Sequence, residues 1–185
     1  MSDYIEKIDT VDIDKIKSEF NSYLEREIKG TLQVSLQGFS KDDFTGANGK
    51  TDNLKNNEED CNVRLYDDYK YTYGVIEKFN LYRSRLMIIS DKRNYSWHLD
   101  YSKRIHIPLI TNESCFFIIE ETKIHLPADG SVYLVDTTKW HTFVMQIEIN
   151  LIDHTLWGVY EIANRKNWRD RLRYLIEGNW SYQTS

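Results

Sequence analysis

From Ser84 to Tyr160 the chain is a succession of short apolar-rich runs: SRLMIIS (84–90), YSWHLD (95–100), RIHIPLIT (104–111), CFFIIE (115–120), TKIHLP (122–127), SVYLVD (131–136), HTFVMQIEI (141–149) and HTLWGVY (154–160). Turns such as Ala128-Asp129-Gly130 separate them, and no helical periodicity intervenes. Many short strands at even spacing, without crossover helices, predict an antiparallel sandwich or barrel rather than a parallel sheet.

Outward from this core the pattern changes. Ile13, Ile16, Phe20, Tyr23, Leu24 and Ile28 recur at three- and four-residue steps, which predicts an amphipathic helix over 14–29 with Gly30 at its C-terminal cap. TLQVSLQG (31–38) alternates as a strand. The stretch 40–60 is rich in Lys, Asp, Asn and Gly and reads as a long, exposed, mobile loop. Within it Gly46-Ala47-Asn48-Gly49-Lys50-Thr51 is no phosphate-binding loop. It has two residues between the glycines where that motif needs four, and no hydrophobic strand leads into it. Tyr69, Tyr71 and Tyr73 alternate like one face of a strand, with a substrate-wall role open to them. At the far end Trp168, Leu172, Leu175 and Ile176 share a stripe before Gly178, which predicts a helix over 163–177. The expected fold is mainly β. A double-stranded β-helix (jelly-roll, cupin-like) core spans about 84–160, behind a helical and irregular part at 1–80, in one domain over 1–185.

Composition narrows the function classes. Of 185 residues, 24 are Lys or Arg and 29 Asp or Glu, and the net charge of −5 argues against an electrostatically driven nucleic-acid binder. No apolar run approaches the roughly 20 residues of a membrane span, and the polar start MSDYIEKIDTVDIDK does not read as a signal peptide. Cys61 and Cys115 lie far apart, so free thiols in a reducing, cytoplasmic setting are expected.

All five histidines fall in the β region. His98 and Asp100 stand two apart, so on an extended chain an imidazole and a carboxylate point the same way. His141 opens a later strand and can meet them across the mouth of a closed sandwich. Two imidazoles and one carboxylate form the facial triad of non-haem Fe(II) oxygenases, with positions left open for a cosubstrate and dioxygen. The plainer alternative is a surface His–Asp pair and a satisfied strand-edge histidine. In RIHIPLIT, Arg104 and His106 occupy one face while Ile105, Ile107 and Leu109 feed the other. An interior Arg and His call for an anion.

The run WHLDYSKRIHIPLITN, followed by ADGSVYLVDTTKWHT, resembles the aspartyl/asparaginyl β-hydroxylase-like 2-oxoglutarate dioxygenases. The likeness is closest to the small bacterial and phage-type members, related to free-proline hydroxylases, and it covers about 84–141. It implies Fe(II) held by His98, Asp100 and His141, with Arg104 and His106 near 2-oxoglutarate. It also implies hydroxylation of a small polar metabolite or amino acid, or of a protein side chain. The family's later Arg-x-His, whose Arg grips the cosubstrate, has Ile152 at the Arg position if His154 aligns with its His. Arg104 is then the expected clamp, Arg85 the reserve, and His154 a hydrogen-bond donor. Arg85 fits a barrel-rim position equally well. The alternatives are a catalytically silent jelly-roll module that binds a metal or ligand, and a cupin-like metal enzyme that needs no 2-oxoglutarate. His125 reads as exposed or packed. Trp97, Trp140 and Trp157 read as core, with Trp97 and Trp140 also placed to shield the metal.

Overall fold

Alternation along RIHIPLI decides how the layers stack. Ile105, Ile107 and Leu109 bury themselves on one face, packed with Ile16, Phe20, Val75 and Ile76 from helices. On the opposite face the His106 ring meets Phe117 of a second sheet. The structure, a computed structural model, describes residues 3–24, 31–48, 57–89, 94–145 and 157–163. Its elements in chain order are β1 (Ile5–Thr10), α1 (Ile13–Glu19), α2 (Asn21–Leu24), β2 (Thr31–Ser35), β3 (Gln37–Gly38), β4 (Val63–Arg64), α3 (Lys70–Lys78), β5 (Tyr82–Ile89), β6 (Arg104–Ile110), β7 (Cys115–Ile119), β8 (Thr122–Ile124), β9 (Ser131–Val135), β10 (His141–Met145) and β11 (Trp157–Ala163). A 3-10 turn at Glu58–Asp60 precedes β4.

The large sheet has the order β1-β9-β6-β11-β5-β2, and a smaller one runs β10-β7-β8. Every pairing in them is antiparallel. Ile5, Ile89, Tyr133 and Val135 of the large sheet pack against Cys115, Phe117, Ile119 and Phe143 of the small one, so the two sheets share a core. The fold is mainly β and antiparallel, as expected. Among the described residues neither sheet closes into a barrel. The turn before β9 depends on Gly130, whose φ of +85° suits glycine and whose added Cβ would stand 2.5 Å from the Val11 carbonyl oxygen.

Three expectations need correction. The helix expected over 14–29 is broken at Phe20, whose φ of −105° and ψ of 11° leave the helical region, and it resumes as α2 at Asn21, with 25–30 outside the described residues. The Glu19 carboxylate at the end of α1 accepts the Tyr71 and Thr72 amides, at 2.7 and 2.9 Å. Those amides open α3, so Glu19 satisfies donors that a helix N-terminus otherwise leaves unmet. Consequently Tyr71 and Tyr73 lie in a helix, not a strand. Thr72, Tyr73, Val75 and Ile76 form its buried stripe, a helical period that outweighs the alternation of three tyrosines. The run 95–100 makes one isolated bridge with β10, His98 to His141, rather than a full ladder. The described parts of the charged loop, 40–48 and 57–60, are mostly exposed, as expected, and are pinned at a few points. Ala47 is fully buried, Asn48 accepts a hydrogen bond from Ser35 Oγ at 2.9 Å, and Glu58 is largely buried. The C-terminal helix expected at 163–177 lies outside the described residues beyond Ala163, which ends β11.

Candidate metal centre

His98 and His141 are tied through the backbone. Each N–H donates to the other's carbonyl at 3.1 Å, so the two residues form a hydrogen-bonded antiparallel pair. Side chains of such a pair leave the same face, and the ring centroids lie 4.2 Å apart. Two residues on, the Asp100 N–H donates to the Thr137 carbonyl at 2.9 Å, which fixes the carboxylate beside the rings. Ligand atoms of His98, Asp100 and His141 all lie within 4.8 Å of one another. The three residues the sequence singled out are thus brought together, positioned to bind a metal ion.

Tautomer chemistry supports the same reading. His98 Nδ1 stands 2.7 Å from the Ser96 carbonyl oxygen, and His141 Nδ1 stands 2.9 Å from that of Lys139. A carbonyl only accepts, so each Nδ1 carries the proton and a neutral ring presents its Nε2 lone pair. This is how metal-binding imidazoles are oriented by a second partner. Asp100 Oδ2 lies 3.8 Å from His141 Nε2. Donors sharing an ion at about 2.1 Å across a right angle stand about 3 Å apart, so small side-chain rotations close the group on a cation. His141 is buried while His98 and Asp100 are half-exposed, leaving the centre open on one side. The Phe117 ring stacks on His141 at 6.1 Å and also meets His106 at 4.9 Å, walling the inner side.

Arg104 is among the most buried side chains, 2% exposed. Its Nε donates to Asp100 Oδ2 at 3.2 Å and its Nη2 to Glu58 Oε1 at 2.8 Å. Glu58 also takes Arg83 on the same oxygen and Ser102 Oγ on the other, at 2.8 Å. Burial alone would raise the Glu58 pKa, but the charge and hydrogen bond of Arg104, then Arg83 and Ser102, hold it below the ordinary carboxylate value. Burial, reinforced by the Arg104 and Arg85 charges, draws Arg83 below the ordinary arginine value.

His106 is buried on the face toward β7, as its place in β6 implies. Arg85, also buried, donates through Nη1 to the Ala47 carbonyl at 2.6 Å. In the large sheet Arg85 and His106 both register with Glu161 of the intervening β11, which places them in one cross-strand row. His154 and Ile152 lie outside the described residues. His125 is half-buried, its Nδ1 2.9 Å from the Cys115 carbonyl oxygen. Trp97 and Trp140 are not core: they are 49% and 51% exposed. The reason is the alternation that points His98, Asp100 and His141 inward, which turns each preceding residue outward.

Glu58, Ser102 and Thr137 were not singled out by the sequence. Glu58 sits in a polar run, NNEED, with no local sign that it folds back onto strands forty residues away. No family model matches the chain, and no curated protein sequence matches it.

Proposed function

We propose that the chain is an Fe(II)/2-oxoglutarate-dependent dioxygenase that hydroxylates a C–H bond of a small polar metabolite or amino acid, or of a protein side chain. The observation that carries this reading is the pair of Nε2-presenting imidazoles beside one carboxylate at His98, Asp100 and His141. That donor set suits a non-haem iron and leaves several coordination positions open. Bound there, Fe(II) supplies the dioxygen chemistry of hydroxylation, coupled to oxidation of 2-oxoglutarate to succinate and CO2. The two facing antiparallel sheets support a double-stranded β-helix reading of the core, and the resemblance of the WHLDYSKRIHIPLITN run adds to it.

The chain's own groups have definite tasks in this reading. Ser96 and Lys139 carbonyls hold the two rings in the ligating tautomer. Phe117 keeps water from the inner side. Arg104 and His106, on the inward face of β6, would meet the anionic cosubstrate, with Arg85 in the same cross-strand row as His106 in reserve. Anaerobic titration tests the proposal. Addition of Fe(II) and 2-oxoglutarate together should give a visible charge-transfer band, and neither alone should.

One observation favours a second reading, a jelly-roll metal- or ligand-binding module without turnover. Arg104, the expected cosubstrate clamp, already has Asp100 and Glu58 on its guanidinium. Metal binding without a 2-oxoglutarate-dependent band would favour this module, or a cupin-like enzyme that needs no 2-oxoglutarate.

A further inference from the structure

We propose that Glu58 is a positioning residue that keeps the Asp100 carboxylate available as the third metal donor. The inference rests on the metal reading above and adds to it a residue from a distant segment.

The geometry is a closed circuit around the turn at 100–104. One Glu58 oxygen accepts from Arg104 Nη2 at 2.8 Å, and Arg104 Nε donates onward to Asp100 Oδ2 at 3.2 Å. The other oxygen accepts from Ser102 Oγ at 2.8 Å. The Ser102 carbonyl accepts from Thr137 Oγ1 at 2.7 Å, and the Thr137 carbonyl accepts the Asp100 N–H at 2.9 Å. Glu58 therefore reaches Asp100 twice, through a side-chain arm and through a backbone arm. Both ends of the turn, Asp100 and Arg104, are held by one carboxylate from the 57–60 segment.

Charge gives the circuit its purpose. A guanidinium as buried as Arg104 demands a counter-charge, and a carboxylate facing it prefers to take two of its N–H groups side by side. With Glu58 on Nη2, Arg104 meets Asp100 through Nε, and the carboxylate stays turned toward His141. Arg83 adds a second buried cation to the same Glu58 oxygen. Its backbone has a φ of 56°, left-handed for a non-glycine residue, near a shift in the β5–β11 register. Such a bulge re-aims a side chain, and here it aims Arg83 at Glu58. Without the Glu58 charge, Arg104 would draw more fully on Asp100, and ion pairing would compete with metal coordination.

Co(II) is the probe, because its visible spectrum reports the number and type of donors as well as affinity. Full-length wild-type protein should bind one equivalent. Glu58→Gln should bind on the order of 10–100-fold more weakly, as expected when a group supporting a ligand is lost. Its spectrum should show one protein donor fewer. Should Glu58→Gln fail to fold, the double variant Glu58→Gln/Arg83→Met removes one buried charge of each sign and should show the same loss. A folded Glu58 variant with wild-type affinity and an unchanged Co(II) spectrum overturns the proposal. Wild-type protein that takes up no Co(II) instead rejects the metal reading itself, a separate result.

Discussion

His98 and His141 hold each other in place by a reciprocal pair of main-chain hydrogen bonds, both 3.1 Å, so their backbones are fixed side by side and small side-chain rotations are all that the rings need to meet an ion. Preorganisation of this kind lowers the cost of assembling a site. His98→Ala and His141→Ala should each abolish stoichiometric binding of Fe(II) or Co(II). Asp100→Ala should weaken binding and leave it measurable, since the two imidazoles remain. Isothermal titration under anaerobic conditions checks all three, and undiminished binding by His98→Ala would remove the metal centre from consideration.

Arg104 offers a contrast between two roles. Removing it strips Glu58 and Asp100 of a shared cation inside a mostly buried cluster, and breaking such a pair costs about 3–5 kcal/mol. Arg104→Ala should therefore lower stability in urea by an amount of that order. In the dioxygenase reading it should also raise the 2-oxoglutarate requirement steeply. Calorimetric titration of 2-oxoglutarate into the Mn(II)-loaded wild type and variant separates the two effects. Equal affinity in both proteins would clear Arg104 of the clamp role while leaving its structural one.

The site was more legible in the sequence than its supports. His98, Asp100 and His141 could be found because strand alternation converts a two-residue spacing into a shared face. The same rule sorted Arg104 and His106 from Ile105 and Ile107. Glu58 could not be found, because its role depends on a long-range return of the chain that no local period records. α3 was misread for a related reason. Three tyrosines at a spacing of two imitate a strand, while the deciding features are a four-residue buried stripe and Glu19 capping from another helix. Trp97 and Trp140 show how bulk misleads: hydrophobic character suggested burial, but the inward histidines beside them had already taken that face.

Tyr73 anchors α3 to the strands with one hydroxyl. It donates to the Leu36 carbonyl at 2.5 Å and accepts the Leu65 and Tyr66 amides, both at 3.2 Å. Tyr73→Phe keeps the ring but takes the hydroxyl from the partly buried Tyr66 amide, while the Leu65 N–H and Leu36 carbonyl keep their own bond at 3.2 Å, so the loss should be about 1 kcal/mol. Thermal denaturation should show a lowered midpoint with little change in metal affinity. A midpoint equal to wild type would mean that these backbone groups find other partners.

Cys61 is fully buried, and burial pushes its thiol up to about 12, so almost no thiolate is available near neutrality. Cys115 is buried as well, and neither cysteine is in a disulfide. Native protein should react with an aromatic disulfide reagent far more slowly than protein unfolded in guanidinium, which should release two equivalents. Rapid labelling of Cys61 in the native state would show that the segment around it opens readily.

Acid should act on the fold through Glu58. Its ordinary value is 4.5, and in the folded chain it is held lower, because Arg104, Arg83 and Ser102 together outweigh the opposing effect of burial. Around it also stand Asp100 beyond Arg104, and Tyr82, which burial and the Glu58 and Glu59 charges push up to about 12. A carboxylate depressed on folding contributes stability that is complete above its unfolded value and is lost as pH falls through its folded one. The unfolded chain takes up the proton first, so the unfolding free energy should begin to fall near pH 4.5 and continue downward. Asp136 is held low as well, its hydrogen bonds from Thr138 and the nearby Lys103 outweighing burial, and it should add to the same acid limb. Urea denaturation of wild type and Glu58→Gln between about pH 6 and about pH 3 isolates the share due to Glu58. The variant should start less stable and lose less on acidification, so the two curves converge at low pH. Parallel curves would show that the Glu58 carboxylate does not take its proton in this range, and that its pairing with Arg83 and Arg104 is not what acid breaks.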